Sequence, residues 1–315
     1  MYTSLAVAFV GLDTRLGCLN SNLHQDSDGM KMIEAVQTQF YCMNRLEAFT
    51  GNIQFWKYFP TPTWKKFVKA SDIFTEIAFK YINRALESLK KDSLEDKELT
   101  MLQSMLLTKG LDVSGAMVTA ADMLMAGIDT TSNTIGFFLY NLAKNPDKQQ
   151  LLYEEIKKFL PNKNDKITPA IFGELRYLKS CLKEAIRLDP IVRGNARTFD
   201  HDVVICGYRI PANTMIFCIL QVIYRDEKYF KNANQYIPER WLNKEEKLTN
   251  PYAFLPFGTG VRSCIGRRLA ELEMICVATE ILRNFKVEYH YEDIGMYTRM
   301  VNCPDKPLKF NFIER

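Results

Sequence analysis

Between Phe67 and Leu89 apolar residues recur at helical spacing. Phe67, Phe74, Ile77, Tyr81, Ala85 and Leu89 fall on one face of a 3.6-residue period. The charged run ESLKKDSLEDKE that follows predicts a solvated helix end and loop. A longer apolar stretch predicts a helix over roughly Val113 to Lys144. Asn145-Pro146 closes it and opens the next helix, with proline at the first helical position. Thr168-Pro169 starts a short helix in the same way, and LRYLKSCLKEAIRLDP is a helix stopped by Pro190. The texture then changes. VVICGYRIPANTMIFCIL is β-branched, punctuated by Cys206-Gly207 and Pro211, and predicts a small sheet. Irregular sequence rich in Asn, Pro and aromatics runs from Lys228 to Gly260, and a final helix begins near Gly266. The tail VNCPDKPLKFNF predicts strand and turn, and the opening SLAVAFVGL predicts a helix entering a core. The expectation is a mainly α fold with a small β component. No linker marks a second domain within residues 1–315.

Composition adds limits. Apolar residues make up 47% of the 315, enough for a sizeable core. Lysine and arginine number 41 against 37 acidic residues, a net +4 too weak to imply nucleic acid, so charged partners must be sought in local clusters. No apolar run is long enough to span a bilayer. The opening segment lacks the basic leader and cleavage site of a signal peptide. The eight cysteines (Cys18, Cys42, Cys181, Cys206, Cys218, Cys264, Cys276 and Cys303) are scattered without CxxC spacing, against a zinc ribbon or a small disulfide scaffold. For most of them the expectation is a small buried hydrophobe.

Cys264 has a different address. It lies in PFGTGVRSCIGRRLAELE, before a helix whose expected apolar face is Ile265, Leu269, Leu272 and Cys276. The amino end of a helix favours a thiolate through its free N–H groups and dipole. Gly258, Gly260 and Gly266 permit tight backbone and close approach of a flat ligand. A dinucleotide fingerprint fails because Ser263 stands where its third glycine belongs, and a P-loop fails for want of Gly-Lys-Ser/Thr. A cysteine phosphatase loop would need arginine at position 270, which is Ala270. A plain buried cysteine would leave Phe257, Gly260, Arg262 and Gly266 unexplained.

FGTGVRSCIG resembles the haem-binding pattern F-x-x-G-x-R-x-C-x-G of the cytochrome P-450 family, matching at Phe257, Gly260, Arg262, Cys264 and Gly266. Three further motifs stand upstream in the family's order. AGIDTT, Ala126 to Thr131, places a glycine and a polar run in an otherwise apolar helix. There a glycine costs about 1 kcal/mol relative to alanine, and hydroxyls bonding back one turn can bend the helix. EAIR matches E-x-x-R, with Glu184 and Arg187 on one helix face. PERW, Pro238 to Trp241, supplies Arg240.

The resemblance implies a P-450 fold and a haem b group whose iron takes Cys264 as axial ligand, with Phe257, Gly260, Arg262, Gly266 and Ala126 around it. Arg197 and Arg262 would meet haem propionates. Asp129 and Thr130 would deliver protons to bound dioxygen. Glu184, Arg187 and Arg240 would form a buried network. Met125 with Ala126, Ile191 to Asn195, and Met296 with Tyr297 match pocket-lining positions by order alone. The implied reaction is monooxygenation of a lipophilic small molecule. Two alternatives stand beside it: a reductant-independent isomerase or dehydratase, and a non-catalytic fragment.

CIGRRLAELEM looks like the mitochondrial branch, which draws electrons from an adrenodoxin-like iron–sulfur ferredoxin. LDTRLGCL and FKYINRALESL look like its arthropod members. Lys179, Lys183, Arg267 and Arg268 would form the electron-donor face. Matrix-side placement at the inner mitochondrial membrane, with peripheral membrane contact, goes with that branch. By comparison with the family domain, about its first third, with the targeting segment, is not represented here.

Overall fold

The computed structural model describes residues 27–48, 55–91, 101–106, 108, 112–242 and 250–315. The expected helix at 4–12, Cys18, the LDTRLGCL segment and most of the charged run (92–98) lie outside the described residues. Among those residues the chain is mainly helical. In chain order the helices are α1 (Asp28–Ala48), α2 (Pro62–Lys91), α3 (Met101–Leu106), α4 (Val113–Lys144), α5 (Pro146–Phe159), α6 (Pro169–Glu174), α7 (Arg176–Leu188), α8 (Leu220–Ile223) and α9 (Arg267–Asn284). Eight short strands accompany them: β1 (Asn195–Thr198), β2 (Val203–Ile205), β3 (Tyr208–Ile210), β4 (Met215–Cys218), β5 (Phe285–Glu288), β6 (Met296–Thr298), β7 (Asn302–Pro304) and β8 (Asn311–Glu314).

The chain divides into two compact units. One comprises Met1–Asn133, Arg268–Val277 and Tyr297–Cys303, and the other comprises Thr134–Arg267, Ala278–Met296 and Pro304–Arg315. In the first, α1 and α2 pack together. Met32, Val36 and Phe40 of α1 and Phe74, Ile77 and Ile82 of α2 are buried, spaced as helical faces require. Thr61 opens α2: its hydroxyl accepts from Trp64 N–H at 3.2 Å, and Pro62 takes the first helical position.

In the second unit Asn145 separates α4 from α5, and Thr168 caps α6 by accepting from Ile171 N–H. No side chain of its own caps α7. The Glu155 carboxylate of α5 does so, accepting from Tyr177 N–H at 2.7 Å and Leu178 N–H at 2.9 Å. A carboxylate at a helix amino end satisfies orphan donors and complements the dipole. Gln149, also on α5 and buried, exchanges both amide groups with Val287 of β5.

The expected small sheet is two separate ladders. Strands β2 and β3 form a hairpin turning at Cys206-Gly207, both in the left-handed region (φ 51 and 82°). Strand β4 pairs instead with β1, a strand the sequence did not signal, Asn195 opposite Cys218 and Arg197 opposite Ile216. Two more ladders, β5–β8 and β6–β7, complete the β component. The apolar face expected on the last helix is also different. Ile265 and Leu272 are exposed, while Met274, Ile275, Ala278 and Leu282 are buried together with Glu273.

Candidate functional site

The site in the second unit is built from the inside outward. Glu184 and Arg187, one helical turn apart on α7, are both 0% exposed, and Arg240 is buried. Glu184 Oε2 accepts from Arg187 Nε at 3.0 Å and from the Trp241 indole N–H at 2.9 Å. Its Oε1 accepts from Arg187 Nη2 at 2.8 Å, Arg240 Nε at 3.0 Å and the Ile237 amide at 3.0 Å. Arg187 Nη1 donates to the carbonyls of Tyr224 and Ala233, each at 2.6 Å, and Nη2 donates to Gln235 O at 3.0 Å. All five guanidinium N–H groups therefore have acceptors. The ring of Phe230 lies 5.1 Å from the guanidinium carbon. Burying charges costs several kcal/mol per ion unless hydrogen bonds compensate, and here they do.

This network is joined to the loop that carries Cys264. Trp241 packs on Phe254, ring centroids 4.6 Å apart, and Tyr224 packs on the same ring at 5.2 Å. The Tyr224 hydroxyl accepts from Leu255 N–H at 3.0 Å, and the Leu255 carbonyl accepts from Gly258 N–H at 3.0 Å. These residues belong to one apolar cluster with Leu220, Phe230, Ala233 and Ala253. The line runs from Glu184 through Trp241 and Phe254 to the first turn of the loop.

The loop has a defined shape. Gly258 and Gly260 both sit at φ 71°, which side-chain-bearing residues rarely adopt. Gly260 to Arg262 form a 3₁₀ turn, and Ser263 N–H donates to Gly260 O at 3.0 Å. Cys264 N–H donates back to Phe257 O at 2.8 Å. Helix α9 begins at Arg267, capped by Gly266 at φ −83°. Cys264 therefore stands in the loop, two residues before the cap, because Ile265 and Gly266 are spent on a turn. Gly266 supplies room rather than unusual backbone. A Cβ there would lie 4.0 Å from Cys264 Sγ and screen the sulfur on that side.

Cys264 is exposed, as are Arg262 and Ile265, while Phe257 is half-buried with Arg267 over its ring at 5.4 Å. Strand β1 approaches the loop, since a Cβ on Gly258 would meet Asn195 Oδ1 at 3.7 Å. Arg197 is two residues further, on the same face as Asn195, and its Nη1 donates to Ala196 O at 2.7 Å. Ile191 is buried and Asn195 is half-buried. Lys179 and Lys183 lie one turn apart on α7, Lys179 over Phe172 at 4.6 Å and Lys183 over Trp241 at 5.8 Å.

Ala126, Asp129 and Thr130 belong to the first unit, on an α4 that runs helical through Gly127. Thr130 is half-buried, and its hydroxyl donates to Ala126 O at 2.8 Å. Asn133 Nδ2 donates to Asp129 O at 2.8 Å and approaches Cys303 Sγ at 3.7 Å. The Asp129 side chain is buried, 4% exposed. Burial holds its carboxyl above the usual range, opposed by Arg299 and a hydrogen bond from Gln37. Met125 is half-buried, Ala126 is exposed, and the Tyr297 hydroxyl accepts from Arg299 Nε at 2.6 Å. Arg268, at the start of α9, is exposed and also belongs to this unit.

Sequence reasoning missed the Trp241 indole, the Ile237 amide and the three carbonyls around Arg187. Backbone partners leave no trace in residue type, but Trp241 was visible within PERW. The cysteines also need correction. Cys42, Cys181 and Cys303 are buried as expected, whereas Cys206 and Cys218 are exposed, one in the hairpin turn and the other on β4. Among the described residues no group of three or more His, Cys, Asp or Glu is arranged to hold a metal ion.

A family model, "Cytochrome P450", matches residues 15–312. "Cytochrome P450 CYP12A2" of Musca domestica is 38% identical over 99% of this chain and 60% of its own length. "Probable cytochrome P450 301a1, mitochondrial" of Drosophila melanogaster is 37% identical over 96% of this chain and 55% of its own. "Cytochrome P450 12b1, mitochondrial" of Drosophila acanthoptera is 35% identical over 92% and 54%. The chain thus spans a little over half the length of the curated relatives it matches. With the match running almost end to end and a glycine-framed cysteine loop held by a saturated Glu–Arg network, the chain belongs to the cytochrome P450 family.

Proposed function

We propose that the chain carries the cysteine-ligand part of a haem-thiolate monooxygenase. That enzyme would insert one atom of dioxygen into a lipophilic small molecule, with electrons from a ferredoxin-type iron–sulfur protein in the mitochondrion. The observation that carries this reading is the Cys264 loop. Its backbone is fixed by the Phe257 carbonyl and two left-handed glycines, and its sulfur is exposed beside a residue with no side chain. Those residues fit haem b. Cys264 would hold the iron, Phe257, Gly260 and Gly266 would border the macrocycle, and Arg262 and Arg197 would take its propionates in charge-assisted hydrogen bonds. Haem held by a thiolate supplies the electron push that favours O–O cleavage.

The chain's own groups supply position and protons. The Glu184–Arg187–Arg240 network fixes the segment from which the loop springs. Asp129, whose carboxyl keeps its proton to higher pH than an exposed one, suits a proton-donating role, with the Thr130 hydroxyl next to it in sequence. Retention of this acid–alcohol pair favours the monooxygenase over a reductant-independent isomerase. Lys179 and Lys183 share a helix face and, with Arg267 and Arg268, suit an acidic electron donor. Two of the relatives described above carry "mitochondrial" in their names, which supports that compartment.

The test is the absorption of the ferrous carbonyl form after reconstitution with haem, for wild type, Cys264→Ala and Cys303→Ala. The thiolate-type Soret band is expected to disappear only with Cys264→Ala. Its survival there would move the ligand to another residue.

A further inference from the structure

The hydrogen bonds within residues 250–265, the segment that carries Cys264, are local. Asn250 accepts from the Tyr252 and Ala253 amides, Leu255 O from Gly258 N–H, Gly260 O from Ser263 N–H, and Phe257 O from Cys264 N–H. Among the described residues a single hydrogen bond leaves this segment for another part of the chain. It runs from Leu255 N–H to the Tyr224 hydroxyl, at 3.0 Å. Tyr224 is 0% exposed and closes α8. Its own N–H donates to Leu220 O at 2.9 Å, and its carbonyl accepts from Arg187 Nη1 at 2.6 Å. Its ring packs on Phe254 at 5.2 Å and edge-on to Phe230 at 6.5 Å, and Phe230 in turn lies beside the Arg187 guanidinium. Backbone and ring are both fixed, so the phenol oxygen is aimed at the Leu255 amide.

We propose that Tyr224 is a positioning residue for the cysteine ligand: its hydroxyl pins the Leu255 amide and so fixes where the 255–264 loop presents Cys264. The bonds inside the loop give it a shape but not a place. Packing of Phe254 between Tyr224 and Trp241 brings the segment in, yet apolar contact has no direction. The Tyr224 hydroxyl supplies the direction. With its oxygen removed, the Leu255 N–H would face a buried ring, and a stranded donor costs more than the bond's net worth. Burial also pushes the Tyr224 hydroxyl above the ordinary tyrosine range, so the tether stays neutral at alkaline pH. Tyr224 acts through Leu255 and touches no reacting atom. The inference rests on the proposed function only in taking Cys264 as the ligand.

The first measurement is amide hydrogen exchange on the purified chain, wild type against Tyr224→Phe, which keeps the ring and deletes the acceptor. Exchange at Leu255 and Gly258 should rise about ten-fold, while α7 stays protected. The second is the ferrous carbonyl spectrum after reconstitution with haem, at a urea concentration below unfolding. Tyr177→Phe is the control. Tyr177 is another buried tyrosine of this unit, and its hydroxyl donates to Glu239 Oε1 at 2.8 Å rather than meeting the loop. Tyr224→Phe should raise the share of the non-thiolate band about ten-fold, and Tyr177→Phe should leave it as in wild type. Unchanged exchange at Leu255, a rise spread equally over α7, or a band shift shared by Tyr177→Phe overturns the proposal. A wild-type chain without the thiolate-type band defeats the proposed function instead, and the exchange comparison then decides the tether by itself.

Discussion

Two buried glutamates, one in each unit, show two ways of hiding a carboxyl group. Glu184 on α7 is surrounded by donors: two arginines, an indole and a backbone amide all point at its oxygens. Glu273 on α9 is 6% exposed, and neither of its oxygens has a hydrogen-bond partner. Burial pushes the Glu273 carboxyl up to about 8. At Glu184 the cost of burial is met by hydrogen bonds, which makes the site rigid and tied to distant chain segments. At Glu273 it is met by keeping the proton, which makes the site sensitive to pH. One glutamate is an architectural joint, and the other is a titratable weakness in a core.

The largest effect should come from breaking the first. Glu184→Ala would strand two buried arginines, and loss of one partner from a buried ion pair costs about 3–5 kcal/mol. Equilibrium denaturation should show that loss together with release of the 228–260 segment to proteolysis. Arg187→Lys should not rescue it, because an ammonium cannot reproduce the five-donor fork. A variant as stable as wild type would mean the network is decoration.

The second arm of the comparison tests Glu273. Its folded pKa lies above the unfolded one, so the folded state binds more protons across that window. Stability is therefore full below about pH 4.5 and falls as pH rises through about 8, by roughly 1.4 kcal/mol for each pH unit crossed. Glu273→Gln should flatten this slope and be the more stable form under alkaline conditions. An unchanged pH profile in thermal melts would remove Glu273 as its source. Asp129, also raised by burial, contributes a slope of the same sign.

Smaller changes sharpen the first arm. Trp241→Phe keeps a ring against Phe254 but deletes one donor to Glu184, a loss of about 1.5–3 kcal/mol for a hydrogen bond to a charged group. It should be readable as a lower denaturant midpoint. Lys183→Glu, at the exposed rim beside the same indole, should shift stability by less than about 0.5 kcal/mol. Under the proposed function the reversal should instead lower ferredoxin-driven turnover, most at low ionic strength. Turnover that ignores the reversal would leave Lys183 a solubilising residue.

The helices were legible because their signals are local. The Asn145-Pro146 and Thr168-Pro169 boundaries and the stop before Pro190 depend on a few adjacent residues, and the structure places α5, α6 and α7 accordingly. The β1–β4 ladder was not legible, because a four-residue strand such as NART has no alternation strong enough to announce a partner about twenty residues away. Within the site, residue spacing put Glu184 and Arg187 on one face, and a family motif brought in Arg240. The Ile237 amide and the carbonyls of Tyr224, Ala233 and Gln235 could not be read, since every residue offers the same backbone groups. Glu273 escaped because the apolar period of α9 was assigned to Ile265, Leu269, Leu272 and Cys276, one step away from the face that is buried.

The reach of Arg187 has a consequence for how the chain folds. Its carbonyl partners lie 37, 46 and 48 residues downstream, so none is present when α7 first forms on its own. The guanidinium closes only when the 224–235 stretch has come back to α7. Contacts of such separation carry a loop-closure entropy that is met late in folding. The support of the cysteine loop is therefore completed from segments distant in sequence, not by α7 alone. A chain that misplaces the 224–235 stretch leaves buried Arg187 without its carbonyl acceptors and the loop without that support.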